Sequence, residues 1–283
     1  MSELSRVSTD QKLVEMWLHG RPISTQNEYR RDVQAFFDFV DKCLQVCTLE
    51  DLQAYSTHLD TLDIKNTTKR RKLNAIKSLW SFATKLNYTR FNVAAALKIP
   101  KGQQSLAGRI LKQTEVLKLV ERGAKPGRDR ALLKLMYATG MRVSEICSLK
   151  WGDFHERDSG EVQVTVLGKG EKLRTVLVPP VVWLEVESLR GAAGDDEPVF
   201  ISCRGKALER TMVHRIIKEA AATAGVNEKV SCHWLRHAHA VVSLEKGAPI
   251  HLVRDSLGHS NISTTNVYLE SNPTDCSSKY LGL

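Results

Sequence analysis

The chain has 283 residues, which is enough for two domains that each bury a core of their own. Its 41 lysines and arginines against 32 aspartates and glutamates give a net charge of +9, shared by both halves, and this charge favours a polyanionic partner. No apolar run approaches the roughly 20 residues of a membrane span, the N-terminus MSELSRVSTDQK does not resemble a signal peptide, and the six cysteines form no disulfide framework. We therefore expect a cytoplasmic protein with no membrane partner.

Helical periodicity dominates the first hundred residues. The pattern Thr25-x-x-Glu28 is that of a capping box and predicts a helix that starts there and continues to about Cys43. Apolar residues that recur every three or four positions predict further helices over residues 49–59, 66–86 and 92–97. We predict an N-terminal helical domain at residues 1–100.

The helix predicted over residues 66–86 begins with four consecutive basic residues, Lys69, Arg70, Arg71 and Lys72. Such a run is commonly a solvated helix face. Because it lies in a small helical bundle of a basic protein, we predict that these four side chains contact DNA phosphates.

Residues 101–109 contain glycines and polar residues without apolar periodicity, so we predict a linker there and a second domain at residues 110–283. In this domain, helices are expected near residues 114–122 and after Pro126-Gly127. Alternating apolar residues predict strands at 161–167 and 173–178, followed by a helix at 180–189, a short strand at 198–202 and a helix at 209–224. The predicted fold is mainly α with a small β-sheet, and the second domain is mixed α+β.

One arginine of interest, Arg142, follows a helix-breaking Gly140 and falls in the turn that opens the next helix. Glu145 stands three residues later and can hold the guanidinium in place. An Arg–Glu pair at this spacing is usually a surface salt bridge worth a few tenths of a kcal/mol. The apolar neighbours Val143 and Ile146 predict instead that Arg142 is partly buried.

Lys169 stands between two glycines at the tip of the predicted hairpin, from where it can project into a neighbouring site. Gly-Lys-Gly is also a frequent loop sequence. It is not a phosphate-binding P-loop, because the GxxxxGK[ST] spacing is absent and a strand follows instead of a helix.

The most informative stretch runs from residue 232 to residue 268, CHWLRHAHAVVSLEKGAPIHLVRDSLGHSNISTTNVY. His233 and Arg236 stand three residues apart on a predicted helix, so both can face one ligand. His259 ends a second helical pattern, and Tyr268 lies in a short third one. This set of groups suits attack on a phosphodiester. The guanidinium can bind phosphate oxygens, the imidazoles can lie beside it, and the phenol can act as the nucleophile.

Other interpretations of these residues are weaker. His233 and His237 have the HxxxH spacing of zinc proteases, but Trp234 stands where those enzymes have glutamate, and an arginine lies within the cluster. We predict no metal, and we interpret His237 as a packed, hydrogen-bonded residue that supports the site. Tyr280 and Tyr137 are the rival nucleophiles; the first lies in a tail rich in turn formers and the second in an apolar helix.

The strings ATGMRVSEICSL, LGKGEKLRTVLVP, HWLRHAHA and LGHSNISTTNVY follow one another in this order. With them the chain resembles the tyrosine recombinase (phage integrase) family, in its Xer-like branch. The resemblance covers residues 110–270, and the N-terminal helices are similar in size and type to the family's core-binding domain. It implies a site-specific DNA recombinase that cuts and rejoins strands by a type IB mechanism without a cofactor.

The resemblance also implies a role for each matching residue. Arg142 and Arg236 would bind the scissile phosphate, with His233 beside them and His259 hydrogen-bonded to the phosphate. Tyr268 would form a 3′-phosphotyrosyl intermediate.

Lys169, by the same resemblance, would protonate the leaving 5′ oxygen. The implied partners are double-stranded DNA recombination sites, with four protomers on two duplexes and with or without a second recombinase or a directionality factor. Only LESNPTDCSSKYLGL follows the tyrosine, which is shorter than the basic C-terminal segment of many Xer relatives. Two alternatives remain, a type IB topoisomerase-like relaxing enzyme and a non-catalytic DNA-binding relative.

Overall fold

The computed structural model describes residues 9–100, 109–168 and 172–259, together with residues 265 and 268. The chain divides into two compact units, Met1–Gln103 and Gln104–Leu283. Most of the predicted linker, residues 101–108, lies outside the described residues. Within the described part, no helix is both long and apolar enough to cross a membrane.

The N-terminal unit is helical, and its helices pack around aromatic side chains. Its elements are α1 (Asp10–Leu18), α2 (Ile23–Val40), α3 (Leu49–Thr61), α4 (Asn66–Lys85) and a 3-10 turn at Val93–Ala96. The ring of Phe36 meets Tyr55 and Trp80 edge-on, with centroids 5.2 and 5.6 Å apart. All three are buried, so the apolar stripes of α2, α3 and α4 share one core.

One local prediction for this unit is wrong, and one helix was not predicted. Helix α2 begins at Ile23 after Pro22, which makes no side-chain capping bond, so the predicted capping box at Thr25 is wrong. The proline-preceded start places Thr25 inside the helix. A true capping box instead opens α3, where Thr48 and Asp51 bond reciprocally. Helix α1, which the sequence analysis did not predict, begins after Thr9, whose hydroxyl caps the amide of Lys12.

The second unit combines helices with one small sheet, which confirms the predicted mainly α fold with a mixed α+β second domain. Its helices are α5 (Gln113–Leu117), continued by a π-helical turn at Lys118–Gly123, α6 (Arg128–Thr139), α7 (Val143–Ser148), α8 (Pro180–Glu187), α9 (Arg210–Ala224), α10 (Cys232–Glu245) and α11 (Ile250–Leu257). Its strands are β1 (Phe154–Glu156), β2 (Val162–Leu167) and β3 (Leu173–Val178).

The sheet is antiparallel with the order β1-β2-β3. In β2, Val162, Val164 and Val166 face the core in strict alternation, as predicted. The predicted strand at 198–202 is wrong, because this segment makes only isolated bridges, Lys150 to Pro198 and Ile201 to Ala207. The unpredicted β1 has three residues, too few for alternation to be recognised in the sequence.

Close packing brings the C-terminal ends of two helices, α6 and α11, against the middle of α10. Gly140 caps α6 in a left-handed conformation with φ of 62°. A Cβ atom at this position would lie 2.7 Å from the side chain of Leu257 in α11 and 2.8 Å from that of His239 in α10. Only glycine adopts this left-handed conformation readily and also leaves room for the two neighbouring side chains. The C-termini of α6 and α11 therefore approach α10 closely, and this convergence forms the site.

Candidate active site

Arg236 lies at the point where these three helices converge. Its side chain is buried, and its two terminal nitrogens donate to the carbonyl oxygens of Gly140 and Leu257, each at 2.6 Å. These carbonyls end α6 and α11, where the helix dipoles are negative and favour a cation. Burial, together with Arg142, lowers the pKa of Arg236 to about 10, so the guanidinium is charged at neutral pH.

Arg142 stands at the N-cap of α7, where its sequence neighbours predicted a partly buried side chain. The side chain is 29% exposed, and one terminal nitrogen donates to Glu145 Oε1 at 2.8 Å. The Arg142 backbone N–H donates to Glu145 Oε2 at 2.7 Å. Glu145 thus bonds to both the side chain and the backbone of Arg142, and its predicted supporting role stays a prediction. Burial raises the pKa of Glu145, but hydrogen bonds from Arg174 and from the Arg142 backbone outweigh it and bring the value down to about 2.

The two arginines line one cavity of about 220 Å³. His233 and Cys232 from α10 and Arg210 and His214 from α9 also line it. No carboxylate is among the described lining residues, so the guanidinium groups of Arg142, Arg210 and Arg236 give the cavity a positive charge. Burial, then Arg236 and Arg142, lower the pKa of His233, which favours its neutral form.

Tyr268 is buried against α10 and α11, in a cluster with Ala240, Val253 and Leu257. Its hydroxyl lies 3.0 Å from Nδ1 of His237, one helical turn beyond His233. Burial raises the pKa of Tyr268, while the nearby Arg236 and Arg142 oppose that rise.

His237 is the residue that meets the phenol. Burial, with His233 and Arg236 nearby, lowers its pKa to about 4, so its imidazole is neutral at pH 7. A neutral Nδ1 without a proton accepts a hydrogen bond from a phenol. The imidazole is therefore hydrogen-bonded, and the supporting role of His237 in the site stays a prediction.

His259 follows the C-terminal glycine of α11, and its Nδ1 lies 2.9 Å from the hydroxyl of Thr265. Burial and the arginines lower the pKa of His259 to about 4. Its ring stacks near Tyr268, with centroids 6.3 Å apart. When Thr265 donates to Nδ1, the proton of the neutral imidazole lies on Nε2 and can be given to a phosphate oxygen.

Lys169 lies outside the described residues, between Gly168 and Lys172. The backbone N–H of Gly168 donates to the carbonyl of Lys172 at 2.8 Å, so the ladder between β2 and β3 continues to the base of the loop. The predicted role of Lys169 stays a prediction.

The four basic residues of α4 differ in their surroundings. Lys69 is buried, and its ammonium binds Asp60 at 2.5 Å. Arg71 and Lys72 both pair with Asp32, a buried residue of α2.

In contrast to its neighbours, Arg70 has a buried Nε without a hydrogen-bond partner among the described residues. DNA contact by the whole group stays a prediction. Because the other three side chains form ion pairs with aspartates, Arg70 is the first candidate among the four for a DNA contact.

Two residues of the site were missed by the sequence analysis. Arg174 binds Glu145, and Thr265 binds His259. Thr265 had no recognisable signal, since it is one of several hydroxyl residues in SNISTTN. A signal for Arg174 existed in the alternation of β3, because its position shares the inward face with Val176 and Val178. An arginine on an inward face requires a buried partner.

In the described part of the chain, no three or more histidine, cysteine or acidic side chains cluster as metal ligands.

Comparison with known proteins agrees with the geometry. The phage integrase family matches residues 109–275, and the phage integrase N-terminal SAM-like domain matches residues 20–87. Tyrosine recombinase XerC of Mycobacterium tuberculosis (strain ATCC 25177 / H37Ra) is 33% identical over 272 residues, which cover 88% of each chain.

Two solved structures share the fold. The XerH site-specific recombinase bound to difH substrate, in a pre-cleavage complex, has a TM-score of 0.71 at 22% identity, covering 93% of this chain and 81% of that one. A lambda integrase tetramer bound to a Holliday junction has a TM-score of 0.72 at 19% identity, covering 93% and 78%. By its sequence match over most of its length, the chain belongs to the phage integrase family and is a site-specific tyrosine recombinase of the Xer type.

Proposed function

We propose that this recombinase cleaves and rejoins double-stranded DNA at its recombination sites with Tyr268 as the nucleophile. The observation that carries the proposal is the placement of a buried phenol close to two arginines that line a positively charged cavity. The Tyr268 oxygen attacks phosphorus and forms a 3′-phosphotyrosyl bond, while the bond to the 5′ oxygen breaks. A 5′-hydroxyl from the partner strand reverses the step, so the bond energy is conserved.

The two arginines have complementary parts in this scheme. Arg236 is fixed by two carbonyls and presents its remaining N–H groups to the phosphate. Arg142 is oriented by Glu145 and is more exposed, so it can reach the phosphate from the mouth of the cavity. Preorganised cations stabilise the charge that develops on the phosphate oxygens in the transition state.

Proton transfer needs an acceptor at the phenol and a donor at the leaving oxygen. His237 is the group within hydrogen-bond distance of the Tyr268 hydroxyl, and its lowered pKa keeps it neutral and able to accept. We assign the donor role to Lys169 by its sequence position between two glycines and by resemblance to the family. His259, oriented by Thr265, donates to a phosphate oxygen, and His233 lines the cavity beside the arginines.

The relatives support a proposal for the partners. XerH was solved as a recombinase bound to its difH substrate, and lambda integrase was solved as a tetramer bound to a Holliday junction. We propose the same arrangement here, with four copies of this chain on two DNA sites in the cytoplasm. A second recombinase or a directionality factor would be required only if purified protein alone does not complete the exchange.

Trapping on a nicked suicide duplex that carries the recombination site tests the nucleophile. We expect mass spectrometry to find the nucleotide adduct on the peptide with Tyr268. The variant Tyr268→Phe should bind the duplex nearly as well as the wild type and form no adduct, while Tyr280→Phe should behave as the wild type. An adduct on Tyr280 or Tyr137 would contradict the proposal, and so would relaxation of supercoiled DNA that needs no specific site.

A further inference from the structure

Arg174 has no role in the mechanism proposed above. Its side chain is buried next to the active-site residue Glu145. It lies on the inward face of β3 and is 9% exposed. Its terminal nitrogens donate to both oxygens of Glu145, at 2.9 and 2.7 Å, and its Nε donates to the carbonyl of Ser256 at 2.8 Å. A two-point Arg–carboxylate contact is both strong and directional. Arg174 therefore fixes the Glu145 carboxylate in one orientation.

Glu145 shares each of its oxygens between two donors. Oε1 accepts from the side chains of Arg142 and Arg174, and Oε2 accepts from Arg174 and from the Arg142 backbone. Two cations and one carboxylate leave one net positive charge. Without Arg174 the carboxylate would be buried against Arg142 alone and would neutralise it.

Arg174 also touches the turn that leads to His259. A Cβ atom at Gly258 would lie 3.0 Å from Cδ of Arg174, and a Cβ atom at Gly168 would lie 3.4 Å from one of its terminal nitrogens. The guanidinium thus packs between the base of the β2–β3 hairpin and the end of α11. From this place it can act on Arg142 through Glu145, or on Lys169 through the hairpin.

We infer that Arg174 is a positioning residue of the recombinase, which holds Glu145 so that Arg142 faces the scissile phosphate with its charge uncancelled. The inference rests on the proposed function. The route through Glu145 is favoured over the route through the hairpin because the two contacts to Glu145 are charge-assisted and buried, whereas the Arg174 side chain donates no hydrogen bond to Gly168 at the described base of the hairpin.

The test compares three suicide duplexes. One has the native scissile phosphate, one has an uncharged methylphosphonate there, and one has sulfur as the bridging 5′ atom. Arg174→Met should bind DNA as the wild type does and form covalent complex on the order of 100-fold more slowly on the native duplex, the loss typical of a misplaced catalytic group. The deficit should shrink on the methylphosphonate, because an uncharged centre needs less of the Arg142 charge. It should persist with bridging sulfur, whose thiolate leaves without a proton.

Rescue by bridging sulfur and not by methylphosphonate would overturn the inference, because Arg174 would then act through Lys169. The double variant Arg174→Met/Glu145→Gln removes the unbalanced carboxylate and should recover part of the lost rate. If Arg174→Met does not fold, Arg174→Lys decides, because it keeps the charge but loses the two-point contact, and wild-type rates for it would also contradict the inference. The adduct on Tyr268 is measured separately in the wild-type protein. If it forms, the proposed function stands, and the rates of the Arg174 variants then test the inference alone.

Discussion

The phenolic oxygen of Tyr268 lies 3.0 Å from Nδ1 of His237, a histidine that the sequence indicated only as a packed supporting residue. The contact joins the proposed nucleophile to α10, which also carries Arg236 and His233. One helix therefore carries the proposed phosphate-binding cation, Arg236, and the imidazole that lies within hydrogen-bond distance of the phenol.

From this contact we expect His237→Ala to form covalent complex on a suicide duplex about 100-fold or more slowly than the wild type, the usual range for loss of an acid–base group. Binding to the duplex should be unchanged. His237→Asn separates the two possible roles, because an amide can hold the phenol but cannot take its proton at neutral pH. A rate for His237→Asn close to that of the wild type would show that the contact only positions Tyr268.

Thr265 should affect the reaction through His259. Thr265→Val removes the hydroxyl that fixes the imidazole and keeps the shape of the side chain. We expect a loss of about 1–2 kcal/mol of transition-state stabilisation, or roughly tenfold in the cleavage rate. Thr265→Ser keeps the hydroxyl and is the matched control, which should cleave at nearly the wild-type rate. Equal rates for valine and serine variants would remove Thr265 from the mechanism.

Lys169 is predicted to be the general acid, since a 5′ alkoxide is a poor leaving group that needs a proton. Lys169→Ala should be slow on native DNA and largely rescued when the bridging 5′ oxygen is replaced by sulfur. Lys172→Ala is the control from the other end of the same loop. If Lys172→Ala is rescued by bridging sulfur and Lys169→Ala is not, the general acid is Lys172 instead of Lys169.

The basic residues of α4 should differ in their contribution to DNA binding. Each phosphate contact adds about 0.9 to the slope of log affinity against log salt concentration. We expect Arg70→Ala to lower this slope by about one contact. Lys69→Ala should leave it unchanged, because the Lys69 ammonium is buried against Asp60. Equal changes in both variants would show that the ion pair opens when DNA binds.

Stability of the catalytic unit should fall in mild acid. The pKa values of His237 and His259 are lowered to about 4 from an ordinary value of 6.5, so the unfolded chain binds more protons between these limits. Their contribution to stability is complete above pH 6.5 and is lost as the pH falls towards 4. Glu145, with its pKa near 2, contributes above about pH 4.5 and loses that contribution at lower pH.

Urea unfolding at pH 7.5, 6 and 5 measures this loss. His259→Gln should be less sensitive to pH in this range than the wild type. His251→Gln, at an exposed position of α11, is the control and should retain the wild-type dependence. A urea midpoint of the wild-type protein that does not change between pH 7.5 and 5 would contradict the expectation.

Local patterns were sufficient for much of the fold. Side-chain periodicity and left-handed caps are local properties, so a few residues are enough to indicate a conformation. Examples are the alternating valines of β2, the apolar stripe of α4 and the glycine that ends α6. The same holds for Arg142 and Glu145, which are three residues apart on one turn. Predictions failed where local signals competed, as at Thr25, where a proline upstream had already allowed the helix to begin.

The sequence by itself determined the order and chemical types of Arg142, Lys169, His233, Arg236, His259 and Tyr268, and with them the family. Only the tertiary structure decided which atoms meet. Arg236 binds a carbonyl 96 residues away, Arg174 reaches Glu145 across 29 residues, and His237 meets a phenol 31 residues further along. Contacts at such separations depend on how helix ends and strands pack in three dimensions, and no local periodicity encodes that packing.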